Sequence, residues 1–110
     1  MADVLTRYGP AVPGVAGSTL ITAGLANTYT VLRHLHVVNT SAAACWYTAA
    51  INGVLAANAL YWQLVLQPGD FLDWTGNIPL IGNATTPDTL QHLAQTATSL
   101  TVVVGTVVGP

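Results

Sequence analysis

Two histidines separated by one residue, His34 and His36, lie in the stretch VLRHLHVVNT, which otherwise has the β-branched composition of a strand. Because side chains alternate between the two faces of a strand, both imidazoles are predicted to project from the same side. A third histidine, His92, would complete a three-histidine set of the kind that zinc accepts. The spacing therefore raises a metal site as one hypothesis for this chain.

The residues around the histidines favour a structural role instead. The pair resembles the His-x-His of the cupins, in which a glutamate follows, but this chain contains no glutamate. No aspartate is evidently placed to orient the imidazoles, and histidines on half-buried strands readily hydrogen-bond to neighbouring groups. We therefore predict no metal and no cofactor, with His34, His36 and His92 kept as the candidates if a metal does bind.

The remaining reactive side chains do not form a catalytic arrangement. Asp70 falls in a turn, where aspartate is favoured for its local hydrogen bonds, and Asp73 follows on a strand with no second carboxylate across a cleft. Cys45 follows three alanines, as expected of a small buried hydrophobe rather than a nucleophile. No serine has a GxSxG setting, and no glycine-rich phosphate loop is present. The sequence predicts that the protein is not an enzyme.

The composition points to a component of an assembly. Of 110 residues, 52% are hydrophobic and only 5% are charged, with Arg7 and Arg33 as the sole fixed cations and a net charge of -2. Soluble proteins average about 25% charged residues, and surface charge keeps subunits apart. We expect neighbouring subunits to cover much of this surface.

Two partner classes are excluded by charge and hydropathy. Two arginines cannot neutralise a nucleic-acid backbone, so no nucleic-acid partner is expected. Residues 37–69 are uncharged, but asparagine, glutamine, serine and threonine interrupt them repeatedly, and no flanking cations would orient a span. The start of the sequence shows no secretory signal. We predict no membrane association.

Hydrophobic alternation and turn residues predict an all-β protein. Thr28 begins a strand of about ten residues that Asn39 closes, and strict alternation along it places Leu32 on the face of both histidines. Residues Gln67 to Asp70 are predicted to form a type II turn, because proline and glycine occupy its two central positions. Asn52-Gly53 predicts a turn within the otherwise ambiguous residues 42–60. Further strands are predicted over residues 4–8, 18–23, 60–66, 71–75, 78–81, 89–96 and 100–108.

These short strands predict an antiparallel β-sandwich of jelly-roll type over residues 18–110, preceded by an extended N-terminal arm over residues 1–17. The arm is rich in glycine and proline. Such an arm packs along its own domain or lies across a neighbour, and the sequence leaves both possibilities open.

The chain also resembles a known group of proteins. Three segments carry the resemblance. LHVVN is the end of a strand, with a histidine followed by hydrophobic residues and asparagine. QPGDF is a Pro-Gly turn before a strand with an aromatic residue, and SLTVVVG belongs to a closing valine-rich strand. Over residues 18–108 this succession is similar to small β-sandwich virion proteins of tailed bacteriophages. The resemblance implies a virion structural part of the minor capsid, decoration, collar or minor tail type, and it carries no catalytic residues.

The expected role follows from the composition and the resemblance together. We expect a decoration protein made in the host cytoplasm, which binds the capsid exterior as a homotrimer and contacts itself and the major capsid protein. A collar or minor tail protein, with a host glycan as a possible ligand of its aromatic residues, is the alternative. The predicted partner contacts are Arg7, Tyr8, Leu20, Ile21, Trp62 and Trp74.

Overall fold

The computed structural model describes residues 4–25 and 28–109. Residues 1–3 of the predicted arm lie outside the described residues. The described chain is built from eight β-strands and one short 3-10 helix at Ala56–Asn58. The strands are β1 (Val4–Ala11), β2 (Ser18–Thr22), β3 (Tyr29–Asn39), β4 (Cys45–Ile51), β5 (Ala59–Leu66), β6 (Phe71–Ile81), β7 (Thr89–Ala94) and β8 (Leu100–Gly109).

The strands form two four-stranded antiparallel sheets with the orders β1-β8-β3-β6 and β2-β7-β4-β5. Apart from β4 and β5, which pair within one sheet, sequential strands alternate between the sheets in the pattern of two interleaved Greek keys, which is the eight-stranded jelly roll. The predicted fold class, an all-β antiparallel sandwich of jelly-roll type, is therefore confirmed. Within the described ranges, no helix is long and apolar enough to span a membrane.

The predicted turns explain where the chain changes direction. Gly69 has φ +82° and the Asp70 amide donates to the Gln67 carbonyl over 2.9 Å, as a type II turn requires. Asn52 has φ +59°, so the turn predicted at Asn52-Gly53 ends β4. The predicted break within 71–81 is wrong, because β6 runs unbroken from Phe71 to Ile81. It is an edge strand, so no partner on its outer side needs the backbone N–H that Pro79 lacks.

The core lies between the two sheets and is filled by alternate residues of nearly every strand. Apolar burial of this kind supplies the main favourable free energy of folding. Tyr47 is the largest of the fully buried side chains and stands among leucines and valines. The core cluster comprises Ile21, Ala23, Leu32, Leu35, Val37, Cys45, Tyr47, Ala49, Leu66, Leu80, Leu90, Ala94, Leu100, Val102 and Val104.

A β-bulge in β3 corrects the predicted assignment of faces. Leu32 and His34 pair with the adjacent β8 residues Thr106 and Gly105, so Arg33 is an extra residue relative to β8. On the other side, two residues of β6, Gly76 and Asn77, lie opposite Arg33. Leu32 and Leu35 are consequently both buried in the core, although strict alternation predicted opposite faces for them. The prediction that His34 and His36 share a side is confirmed, because both follow the bulge.

The described part of the predicted arm is extended and packs along its own sandwich. Val4–Ala11 form β1, which pairs with β8 from Val4 opposite Val108 to Ala11 opposite Val102. Tyr8 of β1 packs against the core.

Candidate functional site

Three polar side chains meet on the outer face of the β1-β8-β3-β6 sheet. His34 and His36 come from β3, and Asp73 comes from β6, where it pairs in register with His36. Oδ1 of Asp73 is hydrogen-bonded to Nε2 of His34 and lies 3.4 Å from Nδ1 of His36. We call these three residues the outer-face cluster. Its side chains are 38% to 49% exposed, so the cluster is open to solvent and to ligands.

The two imidazoles determine the ionisation of the carboxyl group. The hydrogen bond from His34, with a smaller contribution from His36, holds the pKa of Asp73 below its ordinary value. The ring of His36 stacks on Phe71 with centroids 5.8 Å apart. The cluster therefore presents an ionised carboxylate and two imidazoles, all with atoms that can ligate a metal.

The composition of this cluster corrects two predictions. Asp73 does contact both imidazoles, although no orienting carboxylate was evident from the order of the residues. His92, the predicted third histidine, does not join His34 and His36, because it lies on β7 in the other sheet and points into the sandwich. The pairing of β3 with β6 creates the cluster, and residues so far apart in the chain carry no local signal of that pairing.

His92 instead forms a buried pair with Tyr47. The Tyr47 hydroxyl lies 3.0 Å from Nδ1 of His92, and the two rings pack edge to face with centroids 5.8 Å apart. Burial lowers the pKa of His92 to about 4 and raises the pKa of Tyr47. Both groups are neutral at neutral pH, so this pair stabilises the core and offers nothing to an external ligand.

Both arginines line a shallow cleft on the same outer face. The cleft has a volume of about 350 Å³, and Gly105 lies between Arg7 of β1 and the β3 bulge that carries Arg33. Neither arginine forms an ion pair with any residue in the described ranges. The full lining is Leu5, Thr6, Arg7, Arg33, Gly105, Thr106 and Val107. The cleft thus combines apolar walls with the only fixed positive charge of the chain.

The predicted partner contacts occupy different environments. Arg7 is exposed beside the cleft, and Trp62 on β5 is 47% exposed. Tyr8, Leu20 and Trp74 are partly buried and pack against the core. Ile21 is buried in the core, so its side chain offers no surface to a partner.

Asp70 and Cys45 lie in the surroundings that the sequence predicted for them. The Asp70 carboxylate accepts a hydrogen bond from the Gln67 amide over 3.0 Å and so braces its turn. Cys45 is a free thiol buried in the core.

The strand order defines the class of protein as an eight-stranded jelly-roll sandwich, and solved structures share this fold. A chain of the T13 viral particle of infectious bursal disease virus superposes with a TM-score of 0.56 and 14% identity over 96% of this chain. A chain from the Gx strain of the same virus gives a TM-score of 0.50 and 18% identity, also over 96% of this chain. Each match covers 30% of the viral chain.

These structural matches concern the fold alone. No protein-family model matches the chain, and a search of curated proteins finds no match. Both matched chains come from infectious bursal disease virus rather than from a tailed bacteriophage, so the phage resemblance stays a prediction.

Proposed function

We propose that this chain is a non-enzymatic structural protein of a virion. In the specific form we favour, it is a decoration protein of a bacteriophage, made in the host cytoplasm. It forms a homotrimer on the capsid exterior and stabilises the shell by burying apolar surface against itself and the major capsid protein. The fold shared with chains of viral particles supports the virion role, and the sequence resemblance supports the bacteriophage assignment.

The observation that carries this proposal is the apolar surface of a nearly uncharged sandwich. Large apolar side chains are widely exposed on the described chain, while the whole sequence holds only two arginines and four aspartates. Exposed apolar surface with so little charge indicates contact with other proteins. The exposed residues are Val4, Leu5, Val12, Val15, Leu25, Leu55, Trp62, Val65, Phe71 and Ile81.

The edge strand β5 is the surface best suited to self-association. It pairs with β4 on one side only, and it contains neither a charged residue nor a proline, the usual protections of an edge. Trp62 and Val65 are 47% and 55% exposed on it. Aromatic anchors of this kind dominate binding energies in protein interfaces. We therefore place a contact between copies at β5.

The cleft on the other sheet is the surface we assign to the capsid. Its apolar walls would pack against the shell, and Arg7 and Arg33 would pair with carboxylates of the partner, since neither has an ion-pair partner among the described residues. The two surfaces lie on different sheets, so one subunit can use both at once. Many such contacts add through multivalency.

Charges introduced on β5 should abolish self-association. In the double variant Trp62→Lys and Val65→Lys, two ammonium groups would have to be desolvated at the contact, and the dissociation constant should rise at least ~30-fold. Analytical ultracentrifugation over a concentration series measures this change. The matched control is Thr19→Lys with Thr22→Lys, both exposed on β2 at the opposite edge of the same sheet.

The control variant should keep the oligomeric state of the native chain, and circular dichroism should show that both variants remain folded. A native chain that stays monomeric at every concentration contradicts the assembly proposal. So does a β2 variant that dissociates as much as the β5 variant.

The abundance of the protein in purified virions tests the finer assignment. A decoration protein should be present in many copies, in fixed proportion to the major capsid protein, as quantitative gel densitometry would measure. A few copies per particle would overturn the decoration role in favour of a collar or minor tail component. Absence from washed particles would overturn the virion role itself.

A further inference from the structure

We propose that the outer-face cluster of His34, His36 and Asp73 is a zinc site. Two imidazole nitrogens and one carboxylate oxygen are a donor set that Zn²⁺ binds, and three protein ligands leave a fourth position for water. The proposal concerns the isolated chain, so the test of zinc binding does not depend on the virion role.

The distances within the cluster suit a small tetrahedral ion. The candidate ligand atoms all lie within 4.8 Å of one another, and no other such group of three occurs in residues 4–25 and 28–109. Zn–N and Zn–O bonds of about 2.1 Å imply ligand-to-ligand distances of about 3.4 Å in a tetrahedron. The Nδ1 of His36 and Oδ1 of Asp73 are already 3.4 Å apart. Zinc entry would require His34 to exchange its hydrogen bond to Asp73 for a bond to the metal.

The sheet holds the three ligands without further rearrangement of the backbone. His36 pairs directly with Asp73, and the neighbouring pairs Leu35 with Trp74 and Val37 with Leu72 fix the register on both sides. Leu35 and Val37 are fully buried, which keeps His34 and His36, the residues that alternate with them, facing outward. Only side-chain torsions must change on binding, so little conformational entropy is lost.

Zinc fits this site better than the hard divalent cations. Calcium and magnesium take sets of oxygen ligands, whereas the cluster offers two nitrogens and one carboxylate. Imidazole is a ligand for zinc, copper and nickel, and the site has no thiolate. Since the cluster is exposed at the surface, ions can enter it directly from solvent.

Titration of the tag-free, full-length chain with zinc chloride tests the proposal, because a polyhistidine tag would bind zinc itself. Isothermal titration calorimetry should give one zinc per chain in the micromolar range. The variants His36→Gln and Asp73→Asn should each raise the dissociation constant at least ~10-fold. Thr75→Ala is the matched control, because Thr75 is exposed on β6 and pairs with His34 without belonging to the cluster.

Nuclear magnetic resonance of the histidine side chains locates the ion. Zinc should shift the ring resonances of His34 and His36 and leave those of His92 unchanged, because His92 is buried in the opposite sheet. The absence of micromolar binding, equal binding by all variants, or a shift confined to His92 would each overturn the proposal and leave the cluster as a hydrogen-bonded group only.

Discussion

The free energy of unfolding should fall by about 3 kcal/mol as the pH drops from 6.5 to about 4, because His92 is buried as a neutral imidazole. Burial lowers the pKa of His92 in the folded chain, so the unfolded chain binds more protons within this window. Stability therefore rises with pH there. The contribution of His92 is fully present above pH 6.5 and is lost as the pH falls towards 4.

The surroundings of His92 account for the size of this effect. The residue is 3% exposed, and its one hydrogen-bonding side-chain partner among the described residues is Tyr47. A neutral phenol cannot compensate a buried positive charge as a carboxylate would. Protonation is therefore opposed until the chain unfolds.

Urea denaturation at a series of pH values measures the effect. The variant His92→Gln removes the titrating group, so its stability should be lower at neutral pH and should change much less between pH 6.5 and about 4. Thr75→Ala is the control, since Thr75 is exposed on β6 and does not titrate, and it should leave the pH dependence in place. A His92→Gln chain with the pH dependence of the native protein would show that other groups are responsible.

Substitution of Asn39 by alanine should destabilise the fold by about 3 to 4 kcal/mol, the sum expected for four lost hydrogen bonds, one of them buried and three partly buried. The Asn39 Nδ2 donates to the carbonyls of Ala43 and Leu66 over 2.9 and 2.8 Å. Its Oδ1 accepts from the amide and hydroxyl of Ser41 over 2.9 and 2.8 Å. Every donor and acceptor of the side chain is thus used.

The position of Asn39 explains why its loss would affect the whole sandwich. It is 1% exposed at the end of β3, and its bond to Leu66 reaches the end of β5 in the opposite sheet. Removal of the amide leaves the Leu66 carbonyl buried without this donor, which costs more than the loss of an exposed contact.

Urea denaturation followed by tryptophan fluorescence measures the change, and Asn83→Ala is its matched control. The Asn83 side chain also accepts local hydrogen bonds, from the amides of Thr85 and Thr86, but it is exposed in a loop. Its substitution should cost less than about 1 kcal/mol. Equal destabilisation by the two substitutions would show that the burial of Asn39 has no special importance.

Local signals in the sequence were sufficient for the fold class. Alternation and turn chemistry act over a few residues, so Gln67 to Asp70 and Asn52-Gly53 marked real turns. The break predicted within residues 71–81 was wrong because Gly76 and Pro79 are tolerated on an edge strand.

The candidate site depended on information that no short segment contains. His34 and His36 were predicted to share a face, and they do. Asp73 joins them only because β3 and β6 pair antiparallel, which follows from the whole jelly-roll topology. The prediction that His92 could join them as a third ligand was wrong for the same reason. The spacing of histidines along the chain does not show in which sheet, or on which face of a sheet, each one lies.

The bulge at Arg33 lets β3 keep its two faces with one residue more than uninterrupted alternation would allow. Since the Arg33 side chain is exposed, most replacements at this position should be accommodated. Loss of Arg33 alone would restore uninterrupted alternation along β3, and Leu32, Leu35 and Val37 would still face the core. His34 and His36 would still face outward, so natural variants of this protein should tolerate both exchange and loss of the residue at position 33.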